Sequence, residues 1–173
     1  YFPELEHPAM KFFFWIPEAK VKEKEDRVDY RTWVSEGWIK ITPGNVIDIN
    51  YLVRDVSEIL LRYNMQSLAF DPAKAYHGVI QGLMAEGFDD ILDEFNQSMR
   101  NMSEPTKELE SIVASGTLDL MQNPVIRWMF RNVYIYRDAN ENIKIDKKRS
   151  SEKVDGCVAA AMAIGTNMSY EDN

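Results

Sequence analysis

Six residues in the middle of the chain, Met65 to Phe70, are apolar at four positions and run straight into Asp71 and Pro72. A run that short and that apolar reads as a strand covered on both faces. Proline fits the first turn of a helix, where no backbone donor is missed. The spacing predicts a helix from Pro72 to Glu86, stopped at Gly87, because glycine tolerates the left-handed conformation of a helix C-terminus. A buried strand feeding a helix constrains the fold more than any other feature here, since such a strand needs helices packed on its faces.

The rest of the chain repeats the alternation. Lys11 to Ile16 has the aromatic and β-branched bias of a strand, ended by Pro17, and the charged stretch Glu18 to Arg27 reads as a solvated excursion. Tyr30 to Glu36 predicts a short helix with Trp33 and Val34 inward, stopped by Gly37. Trp38 to Thr42 alternates with period two before the Pro43-Gly44 turn. Asp48 or Asn50 caps a helix reaching about Tyr63, with Leu52, Val56, Ile59 and Leu60 at helical spacing. Ile91 to Asn96 is a further strand, and Ser103-Glu104-Pro105-Thr106 starts a helix with Leu109, Ile112 and Val113 on one face, closed by Gly116. After Asn123-Pro124, a helix over Val125 to Asn132 leads to a strand over Val133 to Tyr136. The turn formers Asp138 to Asn142 fold Ile143-Lys144-Ile145 back as a hairpin, and a last helix begins at Asp155. No internal repeat, low-complexity segment or domain linker is visible, and the expectation is one α/β domain with helices on both faces of a mixed sheet.

With 45% hydrophobic residues in 173, including four Trp, eight Tyr and eight Phe, the chain can bury a sizeable core. The uncharged run Gly156 to Tyr170 contains Thr166, Asn167 and Ser169 and falls short of the roughly 20 apolar residues of a membrane span. No signal peptide follows Tyr1, and the missing initiator Met suggests a fragment. One cysteine, Cys157, allows no internal disulfide and fits a reducing, cytoplasmic compartment. A formal charge of -8 argues against coating DNA by bulk electrostatics. The stretch Lys144 to Lys153 is the exception, with Lys144, Lys147, Lys148, Arg149 and Lys153 set against Asp146 and Glu152, a local +3.

Two aspartates lie where an apolar element meets a loop. Asp71 closes the Ser67 to Phe70 run, and Asp155 opens the small-residue stretch Gly156 to Ala163 just after the basic strip. Carboxylates on rigid element ends suit magnesium or manganese, hard cations that take oxygen ligands in defined geometry. Each aspartate also has a plain capping explanation.

Seven segments, in this order, carry a resemblance. They are Phe14-Trp15-Ile16-Pro17-Glu18, Thr42-Pro43-Gly44-Asn45-Val46-Ile47-Asp48, Ala69-Phe70-Asp71, Met102 to Glu110, Asn123-Pro124-Val125-Ile126-Arg127-Trp128-Met129, Asp138 to Lys144, and Asp155-Gly156 with Val158, Ala159 and Met162-Ala163. Together they make the chain resemble the C-terminal nuclease domain of the large terminase subunit of tailed bacteriophages. The resemblance implies a ribonuclease H-like fold and a nuclease that cuts concatemeric phage DNA during genome packaging, using two divalent ions, Mg²⁺ or Mn²⁺. It implies as partners double-stranded DNA, the terminase ATPase domain, the small terminase subunit and the portal, within a bacterial host cell. The ATPase motor is expected to lie outside these residues, which hold no Gly-rich phosphate loop.

Within that resemblance Asp71 matches the second acid of the family and Asp155 the third, while the first is expected on an opening strand just upstream of Tyr1. Asp48 is expected to cap its helix and stands in reserve as another acid. The strip Lys144, Lys147, Lys148, Arg149 and Lys153 would contact the DNA backbone, positioning it without reading sequence. Gln97, Arg127 and Asn132 are family-like polar positions that either touch DNA or satisfy loop backbone. His7 and His77 are given no role, and Leu120 and Met121 stand where family members often carry a histidine. Cys157 is expected to pack rather than react. Rival readings are a non-catalytic prophage-derived module docking on the motor or portal, which the intact Asp71 and Asp155 disfavour, and a resolvase or transposase, against which the Thr-Pro-Gly-Asn and Asn-Pro-Val-Ile-Arg-Trp segments speak.

Overall fold

A computed structural model of the chain describes residues 1–3, 7–23 and 28–171, apart from the side chains of residues 23, 74–77 and 171. The chain forms two compact units, one built from Phe13–Asp93 and the other from Tyr1–Phe12 with Glu94–Asn173.

The Phe13–Asp93 unit opens with strand β1 (Trp15–Pro17), helix α1 (Glu18–Glu23), helix α2 (Tyr30–Ser35) and strand β2 (Lys40–Thr42). β1 pairs in parallel with β2, Trp15 opposite Lys40 and Pro17 opposite Thr42. The strand expected from Lys11 therefore begins later: its ladder reaches only as far as the three residues of β2. Pro17 is the last strand residue and not the breaker before it. The first part of the supposed excursion is helical because Val21 is buried at one place among its charges; Lys24 to Arg27 lie outside the described residues. Trp33 is buried as expected, and Gly37 takes φ +80° after α2.

Helix α3 (Ile49–Arg62) starts where the Asp48 carboxylate accepts the Tyr51 N–H at 3.0 Å, the cap that its sequence position predicts. Strand β3 (Leu68–Phe70) leads into helix α4 (Pro72–Ala75), a π-turn over Tyr76–Ile80 and helix α5 (Gln81–Ala85). One long helix was expected there, and its limits hold, with Gly87 at φ +86° beyond its end. The π-turn lies where Gly78 and Gly82 face α3. An added Cβ would sit 3.1 Å from Ile49 Cδ1 at Gly78 and 2.5 Å from Val53 Cγ2 at Gly82. Val53, Leu60, Phe70, Ile80 and Leu83 form the core of this unit. A 3₁₀ turn, Asp89–Ile91, leads into strand β4 (Leu92–Glu94), which pairs with β3.

In the other unit helix α6 (Met99–Ala114) begins at Ser98, whose Oγ accepts the Asn101 N–H at 3.2 Å. The start expected at Ser103 is thus four residues late, and Pro105 lies inside the helix. An internal proline removes one backbone bond, here to the Asn101 carbonyl, at a typical cost of about 3 kcal/mol. Burial of Pro105 offsets it: Gly165 of helix α8 (Asp155–Glu171) comes so close that its Cβ would stand 2.7 Å from Pro105 Cγ. Leu109 and Ile112 are buried, but Val113 is 37% exposed, because it lies one step round from the face that meets α8.

Asn123 caps helix α7 (Pro124–Arg131) by accepting the Val125 and Ile126 N–H groups. The predicted hairpin forms as β5 (Ile135–Arg137) antiparallel to β6 (Ile143–Ile145), its turn held by the Asp138 carboxylate, which accepts N–H groups of Asn140 and Asn142. Near the start of the chain, Ala9 bridges to Asp119. Ile143, Ile145, Val158, Ala161, Met102 and Ile126 are all buried. The α/β class holds, with every strand three residues long and paired in twos among the described residues.

Candidate metal and DNA site

Asp155 opens α8 with its side chain 61% exposed, and Lys147 Nζ lies 3.1 Å from its Oδ1. Backbone N–H groups at the helix start were the expected holders of this carboxylate. Instead the N–H groups of Cys157 and Val158 both donate to the Val154 carbonyl, so they are spent in the first turn and a lysine holds the acid. Behind Asp155 the wall is tight: Cys157 is wholly buried, and the Gly156 N–H points to Met129 Sδ at 3.3 Å. Desolvation, with the Asp155 charge adding to it, pushes the Cys157 thiol up to about 12. The thiol packs, as expected, and is inert.

The basic strip is organised by one side chain. The Asp146 carboxylate accepts the N–H groups of Lys148 and Arg149, and its carbonyl accepts the Ser150 hydroxyl. This turn directs Lys147 and Lys148 outward. Lys144, Lys147 and Lys148 line one cleft of about 370 Å³ together with Gln97, Tyr136 and Met102. Lys144 is half-buried and donates to the Gln97 carbonyl at 2.8 Å, so it builds the cleft wall. Arg149 is drawn to Asp146 at 3.6 Å, with its guanidinium 5.5 Å from the Tyr134 ring centre and 5.6 Å from that of Tyr136. Lys153 is exposed near the start of α8.

In the Phe13–Asp93 unit Asp71 is half-buried, and its Oδ1 accepts the Ala73 N–H at 3.0 Å. A carboxylate offers about four acceptor sites, so the turn leaves most of its capacity open. Asp48 is engaged as a cap, as described. Among the described residues no group of three His, Cys, Asp or Glu side chains stands together in a geometry able to hold a metal ion. The donor chemistry of Asp71 and Asp155 suits a hard cation, since both offer short carboxylates within reach of solvent.

Asp55 is the acid that sequence reading passed over. It is 5% exposed on α3, and its Oδ2 accepts both Trp15 Nε1–H at 2.9 Å and Lys40 Nζ–H at 2.8 Å. Burial alone would raise its pKa. Hydrogen bonds from Lys40 and Trp15, with the charges of Lys40 and Arg54, outweigh that and hold it below the ordinary 3.8. It ties β1 and β2 to α3, a structural duty hidden in sequence because its partners lie 40 and 15 residues away. Asn132 does what a loop residue does, donating to the Trp128 carbonyl and accepting the Ser151 hydroxyl. Gln97 lines the cleft, and Arg127 is exposed. His7 is exposed, and the His77 side chain lies outside the described residues. Tyr134 and Tyr136 were missed as ring partners of Arg149, although their i, i+2 spacing in a strand already places both rings on one face.

Comparison with known proteins brings these features into one setting. Residues 9–171 match the family described as terminase large subunit, endonuclease domain. The chain is 33% identical over 155 residues to the protein named terminase, large subunit, of Enterobacteria phage HK97, covering 88% of this chain and 31% of that one. It is 30% identical over 168 residues to Protein YmfN of Escherichia coli (strain K12), covering 91% of this chain and 36% of that one. The crystal structure of the HK97 bacteriophage large terminase superposes with a TM-score of 0.80 at 32% identity, over 88% of this chain and 32% of that chain. The chain spans about a third of the length of these relatives.

Proposed function

The chain belongs to the terminase large subunit endonuclease domain family, and from that membership we propose that it is a metal-dependent DNA endonuclease that cuts concatemeric phage DNA during genome packaging. The observation that carries this reading is a family match over residues 9–171, a span that contains both Asp71 and Asp155. In the reading, these two acids hold Mg²⁺ or Mn²⁺ as a pair of ions, with the family's first acid supplied from an opening strand upstream. Bound there, the metal would lower the pKa of an attacking water and stabilise the leaving oxygen of the phosphodiester.

The chain's own residues supply the rest. Asp155 presents an exposed carboxylate from a rigid helix start, with Lys147 Nζ 3.1 Å from its Oδ1 until a cation takes that place. Lys147, Lys148 and Lys153 then face phosphates, and Lys144 holds the cleft wall in place. Asp48 remains a cap and enters the metal site only in reserve. The domain acts beside an ATPase motor, the small terminase subunit and the portal. Among the described residues no helix is long and apolar enough to cross a membrane.

A plasmid-nicking assay tests the reading, run with Mg²⁺, Mn²⁺ and EDTA on a chain extended through the upstream strand. Nicks are expected with either ion, none with EDTA, and at least a hundredfold less cutting for Asp71→Ala and for Asp155→Ala. Undiminished cutting by both variants removes the two acids from the site. No cutting by the parent under any ion turns the reading to a non-catalytic module that docks on the motor or portal.

A further inference from the structure

We propose that the cleft beside Asp155 takes an unpaired base of the DNA strand, with its flanking phosphates on the lysines at the mouth. The inference rests on the reading of the chain as a DNA-cutting domain and goes beyond it by giving the strip a second task besides backbone contact.

The cleft's lining is unsuited to phosphate alone. Met102, Ile145 and Val158 are each 4% exposed or less and make an apolar floor, and Tyr136 adds an aromatic wall. Its volume of about 370 Å³ is within the range of small-molecule sites, large enough for one nucleobase and too narrow for a duplex. An apolar floor gains from a base's flat face, and a phosphate would lose its water there for nothing. Cations sit where the flanking phosphates would pass, since Lys147 and Lys148 are exposed and line the same cleft.

Two further observations point the same way. Arg149 lies over Tyr134 and Tyr136, residues that stay 44% and 39% exposed. Proteins hold unpaired bases by stacking them on aromatic rings and guanidinium planes, and here the Tyr136 ring lines the cleft with the Arg149 guanidinium 5.6 Å from its centre. Gln97 also lines the cleft. Its Nε2 goes to Met162 Sδ at 3.4 Å and its backbone carbonyl to Lys144, which leaves its side-chain oxygen without a partner among the described residues. That oxygen can accept from a base amino group. Lys147 joins the cleft to Asp155, so a base seated in the cleft brings its own phosphate next to the acid. Unpairing one nucleotide would then set the strand at the cutting centre.

The test measures binding in EDTA, where no cutting occurs, with three oligonucleotides: a fully paired duplex, the same duplex with a central mismatched bubble carrying 2-aminopurine, and the single strand. The bubble and the single strand should bind more tightly than the duplex, and 2-aminopurine fluorescence should be quenched on binding to the parent chain. Tyr136→Leu should weaken bubble and single-strand binding about 5- to 50-fold while leaving duplex affinity and the salt slope unchanged. Unchanged duplex binding also shows that the variant is folded. Tyr136→Phe, which keeps the ring, should bind as the parent does. Lys148→Gln should weaken all three DNAs and flatten the salt slope by about 0.7 to 0.9. Equal binding of paired and unpaired DNA, or no 2-aminopurine response in the parent, overturns the proposal. A chain that prefers the bubble yet never cuts retains the cleft and loses the nuclease reading. One that cuts but ignores unpaired bases loses the cleft alone.

Discussion

Replacing Asp55 should destabilise the Phe13–Asp93 unit by an amount that its surroundings set. Asp55→Ala removes the acceptor of the Trp15 indole N–H, and a part-buried donor left unpaired costs about 1–3 kcal/mol. It also strands Lys40, but the Lys40 side chain is 48% exposed, so water replaces most of that bond and the loss is nearer 0.5–1 kcal/mol. Together the two losses come to about 1.5–4 kcal/mol. Asp55→Asn keeps an oxygen where both donors converge and loses the charge only, so about 1 kcal/mol is expected. Urea unfolding followed by tryptophan fluorescence measures both, because Trp15, Trp33 and Trp38 all lie in this unit. The gap between parent and Asp55→Asn should also depend on pH. The folded pKa lies below the ordinary 3.8, so the charged carboxylate is favoured by folding. Its contribution is full above 3.8 and drains away as pH falls through the lower folded value. An Asp55→Ala chain within about 0.5 kcal/mol of the parent, or a gap to Asp55→Asn unchanged in strong acid, would refute the reasoning.

Three other outcomes follow from the structure. Gly165→Ala should lower stability by about 1–2 kcal/mol in thermal melts, because the new methyl meets Pro105 Cγ at 2.7 Å and the Phe95 ring at 2.8 Å, an overpacking penalty larger than alanine's helix advantage. Cys157 should resist iodoacetamide at pH 8 in the folded chain and react only after denaturation, since its thiol is buried and titrates near 12; rapid labelling of the native chain would show the α8 packing to be wrong. Lys147→Gln should raise Mn²⁺ affinity about two- to fivefold by calorimetry, because the ion no longer competes with an ammonium for Asp155, an exposed pair worth at most about 1 kcal/mol.

What could be read in the sequence was what neighbouring residues decide. The Asp48 cap, the limits of the 72–86 helix and the hairpin turn at Asp138 all rest on contacts a few residues apart, and each stands where expected. Errors came where distant packing overrode local signals. Pro105 looked like a helix start, and only its burial against Gly165 of α8 lets it lie inside α6. β1 looked longer than it is because its aromatic residues say nothing of the short partner that limits the ladder. The same divide runs through the site. Asp71 and Asp155 were visible as acids at element ends, whereas the Lys147 ion pair, the buried Asp55 cluster and the Arg149–tyrosine stack depend on the folded chain.

Binding of Mn²⁺ to the extended chain, followed by electron paramagnetic resonance in the parent, Asp71→Ala, Asp155→Ala and the double variant, tests the central claim most directly. If the two aspartates serve one centre, either single substitution should cost at least tenfold in affinity, and the double variant should be little worse than the singles. Parental affinity in both single variants, or losses that simply add, would contradict a shared metal site.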